Sequence, residues 1–119
     1  DVAGLEVKEK DQDTYRKYRI LAYTTGQYRA YQNLVNQKIY DMALDSLIST
    51  IGRCEEYSSD AKELGCEGEI SDIHAKAEEA LEAFKIDTEK ALEVYDMKDR
   101  TAYSKEIYQI LDDAGLSEE

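Results

Sequence analysis

His74 is the only imidazole in the 119-residue chain, and it stands between Ile73 and Ala75 in a helical pattern. Nucleophilic catalysis needs a Ser, Cys or Thr beside a base, and the base in turn oriented by a third group. A Cys66–His74 pair across the Gly65–Gly68 turn has no such third group. One His with two cysteines twelve residues apart does not make a zinc ligand set. Di-iron bundles use Glu-x-x-His, but here Asp72 stands only two before His74. The alternating Asp/Asn ligands of a calcium loop are missing. Gly65 and Gly68 lack the Lys and the preceding strand of a phosphate loop. The carboxylate pairs Glu55-Glu56, Glu78-Glu79 and Asp112-Asp113 read as solvated helix faces. The expectation is a chain that is not an enzyme, with no catalytic residue, metal ligand or cofactor.

Binding chemistry has more to draw on. There are ten Tyr, one Phe and no Trp. Tyr joins an apolar ring to a polar tip and suits wet grooves and interfaces. Five of the ten, at 15, 18, 23, 28 and 31, lie on the first helical segment. They point around too much of a helix to fill one core, so a Tyr-bearing face between Tyr23 and Asn36 is expected to stay partly exposed.

The elements that must position these groups are helices. Proline is absent, Gly is scarce, and no stretch alternates apolar with polar residues. The reading is all-α: about four helices in antiparallel hairpins, as one domain over residues 11–116 after a flexible lead-in at 1–10. Asp11 or Asp13 caps the first helix. Its stripe runs Tyr15, Tyr18, Ala22, Thr25, then shifts phase at Gly26 to Tyr28, Tyr31, Val35, which implies a kink or break: one long helix weakened at Gly26, or two shorter ones. Asn36–Ile39 is a connection and Asp41 an N-cap. The second helix carries Leu44, Leu47, Ile48, Ile51, Cys54, Ala61 and Leu64, and Gly65 ends it in the left-handed conformation. A third helix of about seven turns keeps a 3–4 spacing from Ile70 through Phe84 and Thr88 to Tyr95. Asp99 or Thr101 caps a fourth, which ends at Gly115. A 63-residue shift superposes Leu47 on Ile110 and Gly52 on Gly115, as two related hairpins would.

Tyr40-Asp41-x-Ala43-Leu44, with Leu47 following, resembles the start of the second helix of a tetratricopeptide repeat. At the family's 34-residue period stand Ala77 and Leu81, preceded by Leu64-Gly65. His74 replaces the family's turn aromatic, Gly68 stands where a first-helix aromatic belongs, and the helix-ending Pro is absent. The resemblance implies stacked hairpins that bind a peptide or partner domain in a groove between the first two helices, lined by Tyr28, Gln32 and Asn36. Long helices rich in small and acidic residues, in this number, also resemble the extracytoplasmic helical sensor domains of chemoreceptors and histidine kinases, although the last helix, ending at Gly115, is short for such a bundle. That likeness implies instead a ligand-binding or structural domain of a membrane signalling protein.

The formal net charge is −12. A surface this negative disfavours nucleic acid and anionic membrane and leaves a basic or neutral protein or peptide as the expected partner. No apolar run is long enough for a membrane span. The chain opens on Asp1 rather than Met, as a processed chain or a piece of a longer one does. Cys54 and Cys66 would lie roughly 18 Å apart on an unbroken helix, too far to bridge. A turn at Ser58–Asp60 would let them pair.

Overall fold

The longest element, α1, runs without interruption from Val2 to Asn36. The computed structural model describes residues 2–117, with side chains from Gln12 onward. Four further helices follow among the described residues: α2 (Tyr40–Leu64), α3 (Glu67–Ala80), α4 (Thr88–Tyr95) and α5 (Arg100–Asp113). A single 3-10 turn, Leu81–Phe84, joins the last residue of α3 to the loop before α4. No strand occurs among them. The protein is all-α.

Two expectations for the first helix need correction. It does not start at Asp11 or Asp13. The good helix formers between Glu6 and Lys10 extend it back to Val2. Of the two alternatives at Gly26 it takes the single long helix, and its phase does not shift there. Its buried side carries Ile20, Thr24 and Tyr31, with Tyr28 and Val35 half-buried. Those positions keep one 3.6-residue phase through the glycine. Thr24 is tolerated there because its hydroxyl donates to the Ile20 carbonyl at 2.9 Å. Tyr15, Tyr18 and Ala22, taken from the sequence as the inward stripe, face solvent instead.

α2 is the hub. It packs against α1, α3, α4 and α5, and Ala43, Leu44, Leu47, Ile48 and Ile51 are wholly enclosed. Its N-cap position is Ile39. Asp41 falls two positions past the cap and accepts only from the adjacent Met42 N–H at 2.9 Å. The helix continues through Ser58, whose hydroxyl donates to the Glu55 carbonyl at 2.8 Å. Gly65 ends it at φ 76°, and Cys66 N–H reaches the Ala61 carbonyl at 2.9 Å. With the helix unbroken, Cys54 and Cys66 are free thiols, both buried.

The expected seven-turn third helix is two helices. Leu81 and Phe84 are both buried. A 3-10 turn eclipses residues i and i+3, so both side chains enter the core together. Lys85 then takes the left-handed conformation at φ 57°. Asp87 caps α4 by accepting from Lys90 N–H at 2.8 Å. Thr88 donates to the Glu78 carboxylate at 2.8 Å, although a straight helix would hold those residues about 15 Å apart. Asp99 caps α5 by accepting from the Thr101 and Ala102 amides. Gly115 follows that helix at φ 75°.

Arg16 meets Asp60, and Tyr23 meets Tyr57 edge to face, so α1 and α2 are antiparallel. His74 of α3 reaches Glu55 of α2, while Cys66, just before α3, clusters with Ala61. α3 therefore runs opposite to α2 and parallel to α1. The main core joins α2 to Tyr31, Leu81, Phe84, Ala91, Val94, Ile107, Ile110 and Leu111. A smaller one holds Ile20, Cys54, Ala61, Cys66 and Ile70. The 63-residue superposition pairs unlike places: Gly52 is buried inside α2, whereas Gly115 is a left-handed terminus.

Candidate functional site

Tyr28, Gln32 and Asn36 follow each other at i, i+4 and i+8 and form one row on α1. The structure places all three on the wall of a single groove of about 700 Å³. Its other wall is α3, through Lys76, Glu79 and Ala80, and not α2. That corrects the expected position between the first two helices. The reason is the parallel stacking of α1 on α3: α2 lies behind both and covers the opposite side of α1.

The groove has an apolar base and a polar rim. Tyr31 is buried, and Tyr28, Val35 and Ala80 are half-buried. Tyr28 and Tyr31 lie 5.8 Å apart between ring centres, and Tyr31 rests edge-on against Phe84 at 6.4 Å. Burial pushes the Tyr31 phenol above its ordinary range, with Tyr28 adding to the effect. Gln32, Asn33, Asn36, Lys76 and Glu79 are exposed along the edges. Three carboxamides in one rim supply donors and acceptors together. That set matches the alternating N–H and C=O of an extended peptide backbone. Lys76 and Glu79 add one charge of each sign. Tyr23, taken from the sequence as part of the same face, is 37% exposed but lies elsewhere, against Tyr57 and under the Arg53 guanidinium at 5.0 Å.

His74 occupies a second polar cluster. Its ring sits between carboxylates from two helices, Nε2 3.0 Å from Glu55 Oε1 and Nδ1 2.6 Å from Glu78 Oε1. Nε2 is buried and not aligned for a hydrogen bond. Glu78 also accepts from Thr88, so the cluster ties α2, α3 and the start of α4 together. Beside it, Arg53 pairs with Glu56 at 3.0 Å, and Glu56 accepts from the Tyr95 hydroxyl at 2.8 Å. The sequence carried a signal for the contact within α3, since His74 and Glu78 stand at i and i+4. The reach to Glu55 had none.

The two thiols are placed for packing. Burial, and then the Glu55 carboxylate, push Cys54 up to about 12. Cys66 is raised mainly by burial. The thiolate is the reactive form, and both positions disfavour it. Among the described residues no three His, Cys, Asp or Glu side chains gather to hold a metal ion. No described helix is long and apolar enough to cross a membrane.

Comparison of the chain with family models, with curated proteins and with solved structures returns no match.

Proposed function

We propose that this chain is a non-catalytic protein-interaction module that holds an extended peptide in the groove between α1 and α3. One observation carries the reading: Tyr28, Gln32 and Asn36 share a wall whose base is apolar and whose rim holds three carboxamides. Aromatic surface supplies affinity, and paired donors and acceptors supply register. The peptide is basic or neutral, because the chain carries a net charge of −12.

The likeness to tetratricopeptide repeats supports the reading in part. In this arrangement two parallel helices, α1 and α3, line the groove, and α2 backs them. Ala43, which the likeness makes a close-packing small residue, is wholly enclosed. The 34-residue period does not carry through. It joins Ala43, in the first turn of α2, to Ala77, in the last turn of α3. The proposal is therefore a groove of this kind without a regular repeat behind it.

A phage-displayed library of unstructured peptides, panned on the chain, tests it. Selected peptides should shift the amide resonances of Tyr28 to Asn36 and Lys76 to Ala80. Tyr28→Ala combined with Asn36→Ala should weaken them by about tenfold or more, roughly 1.4 kcal/mol. Undiminished binding by that variant, or shifts confined to other helices, would overturn the reading.

A further inference from the structure

The negative net charge conceals a sharp segregation. From Thr14 to Tyr40 the chain carries Arg16, Lys17, Arg19, Arg29 and Lys38 and no acidic residue, leaving ten cations to balance all 27 acids elsewhere. Part of this basic stretch forms the outer face of α1. Tyr15, Tyr18, Arg19, Ala22, Gly26 and Arg29 fall within an arc of about 100° at 3.6 residues per turn. All six are exposed, Tyr15 at 62% and Tyr18 at 70%. Arg19 stacks over the Tyr15 ring at 5.9 Å. Neither Arg19 nor Arg29 has an ion-pair partner among the described residues.

Gly26 sits in the middle of this face. A helix-interior glycine is less stable than alanine there. A side chain at Gly26 would meet nothing within 4 Å. No contact within the fold therefore calls for a glycine here. Close approach of another backbone is one use that a glycine inside a helix serves. Tyr and Arg around it are the residue types that carry most binding energy at protein interfaces.

We infer that the outer face of α1 docks an acidic helix of another protein, which crosses α1 at Gly26 and sets carboxylates against Arg19 and Arg29. Charge complementarity selects that occupant. A second copy presenting the same face would supply no carboxylate to Arg19 or Arg29, since no acidic residue stands between Thr14 and Tyr40. Nucleic acid or an anionic membrane would meet a short row of cations on a molecule whose other faces repel phosphate. This face adjoins the α1–α3 groove, because Asn33 and Asn36 of the rim continue its arc beyond Arg29; the substitutions at Arg19 and Gly26, which precede that rim along α1, tell the two readings apart.

The test pans a phage-displayed library of amphipathic helices, randomised on contact and flanking positions, against the whole chain. Enriched helices should be net acidic and shift the amides of Ala22, Gly26 and Arg29. Their affinity should fall with added salt, and by about tenfold or more in Arg19→Gln/Arg29→Gln. Gly26→Leu should lose binding as fully while its melting temperature holds or rises, which separates docking from folding. Tyr28→Ala, which lies in the groove and outside this arc, should bind these helices normally. The inference is overturned if nothing is enriched over panning on Gly26→Leu, or if the enriched helices are neutral or basic. It is also overturned by tighter binding of a thymidine oligonucleotide or phosphatidylserine vesicles at this face, or by self-association that Gly26→Leu abolishes.

Discussion

Two glycines inside helices serve opposite purposes, and their substitution should give opposite signs. Gly52 lies in α2 under the Tyr95 ring, and a methyl group there would fall inside the ring's van der Waals radius. An aromatic ring fixed by a hydrogen bond to Glu56 has little room to give. Gly52→Ala should therefore lose about 1–3 kcal/mol in urea unfolding through overpacking, more than the gain of up to about 1 kcal/mol in helix propensity. Gly26→Ala meets open space and should gain about 0.5–1 kcal/mol by the same measurement. A gain at both positions would show that the Tyr95 ring moves freely. Phe84 marks the core with the same clarity. It is 2% exposed and packs on Tyr31, so Phe84→Ala should lose about 3–5 kcal/mol. A loss under about 1 kcal/mol would mean that the site collapses around the smaller side chain.

At the level of elements, the junction between α3 and α4 depends on a few polar contacts. Asp87→Ala removes the acceptor for Lys90 N–H and should lose about 1 kcal/mol. Amide exchange in α4 should then quicken while α2, which is packed on several sides, keeps its protection. Unchanged exchange in α4 would show that packing of Ala91 and Val94 alone holds the helix. This junction also marks where the sequence was hard to read. The spacing from Ile70 to Tyr95 suits one long helix, and over four residues a period of 3.0 cannot be told from 3.6. The informative signal was Asp87 before Thr88 and Glu89, a capping pattern outweighed by the stripe. α1 departs from its sequence pattern for a different reason. Tyr15 and Tyr18 counted as apolar, yet a phenol tolerates water, and the buried stripe ran through Ile20 and Thr24 instead. α2 was legible because its enclosed positions are aliphatic and evenly spaced, and so was its glycine terminus. The groove was half legible. Tyr28, Gln32 and Asn36 form a row that spacing alone reveals, whereas the opposing wall on α3 follows from tertiary stacking that no local pattern encodes.

For the whole molecule, the C-terminal half is fastened to the hub by tyrosine hydroxyls, and this makes stability sensitive to alkali. Tyr95 donates from α4 to Glu56 of α2, and Tyr103 donates from α5 to Asp45 of α2. Burial, and then the bond to Glu56, push Tyr95 up to about 12. Burial, and then the bond to Asp45, raise Tyr103 as well. Tyr31, under the α1–α3 groove, is raised by burial. In an unfolded chain a phenol titrates near 10. The folded values lie above the unfolded one, so the unfolded chain gives up these protons first. The stabilising contribution is then fully present below about pH 10 and is lost as pH rises through about 12. Deprotonation would remove the donor at each bond and set a phenolate against a carboxylate. Burial raises the Cys54 and Cys66 thiols too, and an unfolded thiol titrates near 8.5, so thermal melting should begin to fall above about pH 8.5 and fall more steeply above about pH 10. Circular dichroism and the absorbance of tyrosinate should change together, because the buried phenols ionise as the helices separate. Replacing Tyr95 and Tyr103 by Phe removes two of the titrating groups and should make the fall above about pH 10 shallower, while the earlier decline from the thiols stays. If the ten tyrosines of the folded chain instead ionise in one step near pH 10 with the helices intact, then α4 and α5 are held by apolar packing, and their hydroxyls contribute little.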